Sequence, residues 1–297
     1  MIVCAEGTSI YSSRGTPPRS TWGATTLTDA EAVPSFSRIN QMPADIQAKI
    51  LELLDRVAAL RGIQRVREIA RTAMDIRAGQ HVLDAGCGAG EEARALARLA
   101  SPGGQVTAID LSSALVAAAA QRDDGSGVRY AVGDTTALDF PDETFDSVRS
   151  ERVLQHLAEP DAAVAELARV TVPGGRVCLI DTDWESFLVD GMPEDILGEL
   201  WRLGRERGMF RPSGRQLRGR LVRARLKEVT AEPVSIPVTD RATAEILIPL
   251  FNPEVMQLGK IPGDLAVPWL TAFEAALARG DFLAVLTIWV ATGVKIP

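Results

Sequence analysis

The chain has 297 residues, 46% apolar and 24% charged, which excludes a disordered or fibrous protein and allows one large domain or two ordinary ones. Its formal charge of −7 gives no attraction to polyanions and speaks against nucleic acid or an acidic membrane surface as partner. Cys4, Cys87 and Cys178 are odd in number, far apart and outside any CxxC pair, so neither a disulfide framework nor a zinc site is signalled and no metal is expected.

Residues 1–34, with SSRGTPPRSTWG, lack a clear period and read as a flexible arm able to fold over a ligand. The start shows no basic segment before a long apolar one, so a secretory signal is not expected. No uncharged apolar run approaches about 18 residues, which argues against a membrane span and fits a reducing, cytoplasmic setting. From Pro43, Ile46, Ile50, Leu53, Leu54, Val57 and Leu60 recur at helical spacing, and a second helix after Gly62 carries Val66, Ile69 and Ala70.

Short apolar runs then alternate with helical patterns. HVLDAG, QVTAIDL, VRYAVGD, FDSVRSERV and RVCLIDTDW read as strands, with helices at EEARALARLA, SSALVAAAAQR and DAAVAELARV and a PGG turn at 173–175. This order predicts a parallel sheet with helices on both faces. Farther on, EDILGELWRLGRERG and GRQLRGRLVRARL read as helices, LKEVTAEPVSIPV and FLAVLTIWVATGVKI as closing strands, and 240–280 as mainly helical. Segments 185–213 and 240–280 look like insertions between the last strands.

The first strand ends in VLDAGCGAG, at the strand-to-helix junction where doubly wound sheets bind ligands. Glycine suits positive φ and close approach of backbone to ligand. A dinucleotide site wants G-x-G-x-x-G; here the spacing is G-C-G-A-G, followed by Glu91 and Glu92. Those two carboxylates would repel a pyrophosphate at the helix N-terminus, so a cationic or zwitterionic ligand is favoured over NAD. Asp84 could receive an ammonium group, directly or through water.

VLDAGCGAG resembles the first motif of the class I S-adenosyl-L-methionine (SAM) dependent methyltransferases, and further matches follow in order across about residues 45–185. Ala108-Ile109-Asp110 stands where the family's acid accepts both ribose hydroxyls, and Gly133-Asp134 where its aspartate contacts the adenine amino group. SERVLQH, Ser150 to His156, lies along the cofactor's floor, and PGG precedes strand five. GDTTALDFPDETFDSV and RVLQHL are most similar to the subgroup of ubiquinone and menaquinone biosynthesis methyltransferases.

The resemblance implies a Rossmann-like seven-stranded, mostly parallel α/β sheet with helices on both faces, the N-terminal helices and helical insertions forming a lid. The expected division is 1–34 arm, 35–76 helical lid, 77–184 SAM-binding core, and 185–297 closing strands with lid insertions. It implies SAM as cofactor, S-adenosyl-L-homocysteine (SAH) as product, and a small-molecule methyl acceptor in secondary or quinone-like metabolism; a homodimer is admissible. The cofactor-binding set is Asp84, Gly86, Cys87, Gly88, Gly90, Asp110, Leu111, Gly133, Asp134, Thr135, Ser150, Glu151 and Arg152.

Each assignment competes with a plainer one. Asp110 suits a vicinal diol, and capping of the next helix is better served by Ser112. Asp134 is a ligand contact or an Asx turn. Cys87 has no nearby His or Cys partner in sequence and reads as close packing rather than nucleophile. His156 is a candidate catalytic base, with support of the pocket as the favoured alternative. Asp183 is a candidate base or a receiver of a cationic substrate, while Trp184 is either a pocket wall or an anchor for an inserted helix. The arginines from Arg202 to Arg225 read as a solvated helix face. Rival functions are a SAM-binding protein that does not methylate and an NAD-dependent oxidoreductase; RNA methylation is disfavoured by the charge.

Overall fold

In the computed structural model, which describes residues 39–296 other than 41, 209, 259 and 260, helices α1 (Ala44–Ala59) and α2 (Arg61–Met74) come first. They are separated by Leu60, whose extended backbone breaks the helical run. On α2 the residues Ile63, Val66, Ala70 and Met74, at helical spacing, are all buried. The expected arm, 1–34, lies outside the described residues.

The alternating segment builds β1 (His81–Ala85), α3 (Glu91–Ala100), β2 (Gln105–Asp110), α4 (Ser113–Gln121), β3 (Arg129–Val132), β4 (Phe145–Glu151), α5 (Pro160–Val170) and β5 (Thr171–Asp190). There follow α6 (Glu194–Glu206), α7 (Ser213–Arg223), β6 (Lys227–Val238), α8 (Arg241–Leu247), α9 (Pro253–Leu258), α10 (Gly263–Arg279) and β7 (Leu283–Val294). The seven strands form one sheet in the order β3-β2-β1-β4-β5-β7-β6. Strands β1 to β5 pair in parallel, and β7 runs antiparallel to both β5 and β6.

Successive strand residues point to opposite faces, and both faces are covered. Val82, Cys178 and Ile180 join one core with α2 and α3, while Leu83, Val177 and Leu179 join the other with α5 and α7. That double burial is why these strands read as near-continuous apolar runs. The chain turns one way from β1 to β2 and the other way to β4, which opens a crevice at the carboxyl ends of those strands.

Two features differ from the sequence expectation. Strand β5 starts before the PGG segment and continues past Trp184, because β7 is long enough to pair with both of its parts across a register shift between Asp183 and Leu188. Gly174 holds φ 81° there and donates to Lys295 O at 2.7 Å. The face of α7 is not simply solvated: Leu217 and Leu221 are buried, Arg220 and Arg223 pair with Asp161 of α5, and Arg215 pairs with Asp183.

The two inserted helical segments close around aromatic side chains. Phe251 is fully buried, and its ring centroid lies 5.5 Å from Trp269, 4.5 Å from Phe273 and 5.1 Å from Phe282. Among the described residues no helix is long and apolar enough to cross a membrane. Phe251→Ala empties the centre of this cluster and is expected to lower unfolding free energy by about 3–5 kcal/mol, read from the midpoint shift in urea.

Candidate active site

A cavity lies at the carboxyl ends of β1, β2 and β4, between the glycine loop, the turns after β2, β3 and β4, and the helix α1. The loop is tied to β2, since the N–H groups of Gly86 and Cys87 both donate to Ile109 O, at 2.7 and 2.9 Å. Its three glycines hold φ of 88°, 53° and 77°, yet they serve different neighbours. A Cβ on Gly86 would stand 2.1 Å from Val153 Cγ2, and one on Gly90 would strike Ala119 and Tyr130 at 2.8 and 2.9 Å. At Gly88 the nearest atom would be Leu54 Cδ1 at 3.7 Å, so there the missing side chain leaves space to the cavity.

Seven acids line the cavity, and three of them, Asp84, Asp110 and Asp134, stand at or just past the ends of β1, β2 and β3. Asp110 ends β2; its Oδ2 accepts from Gly88 N at 3.0 Å and its Oδ1 from Ser112 N at 2.9 Å, which leaves further lone pairs on each oxygen. Burial raises its pKa against those two bonds. Asp134 is exposed and makes an Asx turn, Oδ1 accepting from Thr136 N and Oγ1; Thr135 lines the same wall. Ser112 caps α4 through Leu115 N at 3.2 Å. Asp84 is 1% exposed, with Oδ1 3.3 Å from Arg149 Nη1 and Oδ2 without a partner. Burial, followed by the carboxylates Glu92 and Glu151, outweighs Arg149 and lifts Asp84 to about 6.

Beneath the glycine loop runs a network of alternating charge. Arg149, 1% exposed on β4, bonds Asp84 and Glu151. Arg67 of α2 reaches Glu151 at 3.0 Å and Glu91 at 2.9 Å, and Arg71 reaches Glu92 at 2.9 Å. Burial alone would raise Glu151, but Arg67 and Arg149 hold it down to about 2. Glu91 and Glu92 are therefore engaged by arginines of α2, and their case against a pyrophosphate is weaker than the bare sequence made it.

The turn after β4 forms the far wall. Arg152, at φ 58°, Val153, His156 and Leu157 all face the cavity. His156 keeps an exposed edge, and Gln155 Nε2 lies 3.1 Å from its Nε2. Close packing on its other sides, then the cations Arg152 and Arg211, push the imidazole down to about 4, so it is neutral near pH 7. Burial, together with Asp84 and Asp110, pushes the Cys87 thiol up, away from a nucleophilic thiolate.

Four expected site residues lie outside the cavity wall. Gly90 and Gly133 serve packing, a Cβ on Gly133 meeting Ile109 at 3.2 Å, and Ser150 is buried with Oγ bonded to Ala85 O at 2.9 Å. Asp183 is 2% exposed, with both oxygens on Arg215 at 2.6 and 2.9 Å. Trp184 is buried against Phe210 and donates to Gln155 Oε1 at 3.2 Å, the anchoring alternative of the two considered. Conversely, Leu54, Val57, Arg67 and Arg149 line the cavity unforeseen. Arg149 did leave a signal, as a cation in the interior of a segment that reads as a central strand.

Residues 83–179 match the family model described as a methyltransferase domain. A 37.1 kDa protein in transposon TN4556 of Streptomyces fradiae is 31% identical over 255 residues, 82% of this chain and 71% of that one. The ubiquinone/menaquinone biosynthesis C-methyltransferase of Bordetella avium is 29% identical over 194 residues, covering 60% and 75%. The chain belongs to the class I SAM-dependent methyltransferase family. The crystal structure of the [4+2]-cyclase SpnF shares the fold of this methyltransferase, with a TM-score of 0.53, 22% identity, and 90% and 99% of the two chains covered.

The methyltransferase's residues fit its cofactor: Asp84 Oδ2 is a buried acceptor without a donor, and the space at Gly88 is what an aminoacyl group needs.

A second acid nearby supports a pH test. Asp181 is fully buried; its Oδ2 accepts from Gln155 N and Ser213 Oγ, and its Oδ1 has no partner. Burial lifts it to about 7 from 3.8, against those bonds. Between these values the folded state binds a proton that the unfolded chain has released, so stability falls as pH rises through that window and levels off above about 7. Asp181→Asn, a mimic of the protonated form, is expected to be more stable than wild type by about 1–3 kcal/mol at pH 8, with the gain shrinking toward pH 4. Urea unfolding across pH checks it; a pH-independent difference rejects it.

Proposed function

We propose that this methyltransferase moves the methyl group of SAM to a small-molecule acceptor of quinone-like or secondary metabolism, held at the β4 end of the cavity. One observation carries this reading: acids at the ends of β1, β2 and β3 and an apolar and cationic wall after β4 share a single cavity under α1. Bound SAM supplies a methyl carbon already made electrophilic by its sulfonium. The protein's tasks are then to hold, align and exclude water.

Asp110, oriented by the N–H groups of Gly88 and Ser112, receives the ribose hydroxyls in this reading, with Leu111 beside it. Asp134 and Thr135 meet the adenine, and Asp84 takes the ammonium group. Leu54 and Val57 of α1 cover the cavity, so the segment 35–76 acts as a lid. The insertions 185–213 and 240–280, which add no described residue to the cavity wall, brace the sheet behind it. Neutral His156 is a weak base; it is suited to accept a hydrogen bond from the acceptor or to shape the pocket. Asp183, clamped by Arg215, anchors α7.

Calorimetry with SAH tests the assignment. Asp110→Ala is expected to weaken binding about 10- to 100-fold through loss of two charge-assisted hydrogen bonds, and unchanged affinity would remove Asp110 from the site. Because an ammonium ligand requires ionised Asp84, SAH affinity is expected to fall about tenfold per pH unit below pH 6 and to flatten above it. A flat profile from pH 5 to 8 would reject that contact.

A further inference from the structure

Three arginines line the cavity, Arg67, Arg149 and Arg152. The first two are paired with carboxylates, as described. Arg152 forms no ion pair among the described residues, and its Nε is shut from solvent without a hydrogen-bond partner. The neighbouring acids are already engaged. Glu151 is held by Arg67 and Arg149, and Asp181 accepts from Gln155 N and Ser213 Oγ through one oxygen. Arg67 and His156 are the other ionisable groups near it, and Arg211, which also acts on His156, donates to Leu157 O at 2.6 Å. This wall thus carries positive charge that the protein does not neutralise. Arg152 is half-buried, so a guanidinium without an ion pair among the described residues carries part of the cost of a desolvated charge, and here it coincides with a left-handed backbone at a residue that is not glycine.

Its place in the sheet separates it from the cofactor's end. The adenosine-side acids sit after β2 and β3, and β4 lies on the opposite side of β1. With strands ~4.8 Å apart, the exit of β4 is roughly 10 Å from that of β2. The Arg152 backbone N–H donates farther along the same direction, to Ile180 O of β5 at 2.7 Å.

We propose that Arg152, which the family resemblance set among the cofactor-binding residues, is instead the anion-receiving group of the acceptor site, so that the acceptor class is small molecules presenting an oxyanion, a carboxylate or a phenolate, beside the methyl donor. The inference rests on the methyltransferase reading and deepens it. An acceptor that arrives as an anion also makes a strong base unnecessary, consistent with neutral His156 being the imidazole at this wall.

The test uses the full chain saturated with SAH, titrated calorimetrically with 4-nitrobenzoate, 4-nitrophenolate and the neutral 4-nitrobenzamide. Wild type is expected to bind at least one of the anions about tenfold or more tightly than the amide. The two anion arms tell carboxylate from phenolate. Arg152→Met should bring the anion-to-amide ratio close to one and Arg152→Lys should retain part of it, each titrated at an SAH concentration that saturates that variant, with an unchanged urea midpoint showing that it folds. Equal binding of anions and amide, no anion binding, or a preference that survives Arg152→Met overturns the proposal. So does a loss of SAH affinity in Arg152→Met rescued by Arg152→Lys, which would place the cofactor's own carboxylate on Arg152. Failure of wild type to bind SAH would instead sink the underlying methyltransferase reading.

Discussion

The arrangement of this molecule turns on one buried cation. Arg149 sits 1% exposed in the middle of the parallel part of the sheet, and a guanidinium there is tolerable only if its charge is met. Asp84 on β1 and Glu151 on β4 meet it. Glu151 is in turn matched by Arg67, which brings α2 to the sheet; Arg67 and Arg71 then reach Glu91 and Glu92 and fix the start of α3. Removing any one member strands another charge, so the floor of the cavity and the docking of the N-terminal helices form a single electrostatic unit.

That unit divides the cavity by sign. Carboxylates gather where β1, β2 and β3 end, while the wall after β4 presents Arg152, with Arg211 bonded to Leu157 O of the same turn. The net charge of −7 says little about this local pattern, because desolvation and pairing within a few ångströms outweigh a distributed surface charge. A zwitterionic ligand and an anionic one can lie side by side in such a field without competing for the same groups.

The order of strands, the glycine turn and the acids at the strand ends were legible because they are local: a period, a turn residue, a position just past an apolar run. What escaped was long-range. The partners of Arg149 and Arg67 stand far away in sequence, and nothing near them announces the pairing. Asp183 was misplaced because its distance from the strand end looked right, whereas strand alternation and the neighbouring α7 put Arg215 on it instead. The insertions read as a lid from their position between strands, but Phe251, Trp269 and Phe273 pack them into the same core as one face of the sheet. The glycines were recognised as necessary, though only the neighbours of each could tell ligand space from packing.

The contact between Gly86 and Val153 has a bearing on how such an enzyme changes substrate. A Cβ at 86 would fall 2.1 Å from the Val153 methyl, so the glycine loop and the turn after β4 press on one another with no slack. Bulk added at 153 would be transmitted straight into the glycine loop. Leu54 of α1 faces the same loop with slack, 3.7 Å from a Cβ built at Gly88, so a change of shape in this cavity is absorbed first on the α1 side and last at position 153.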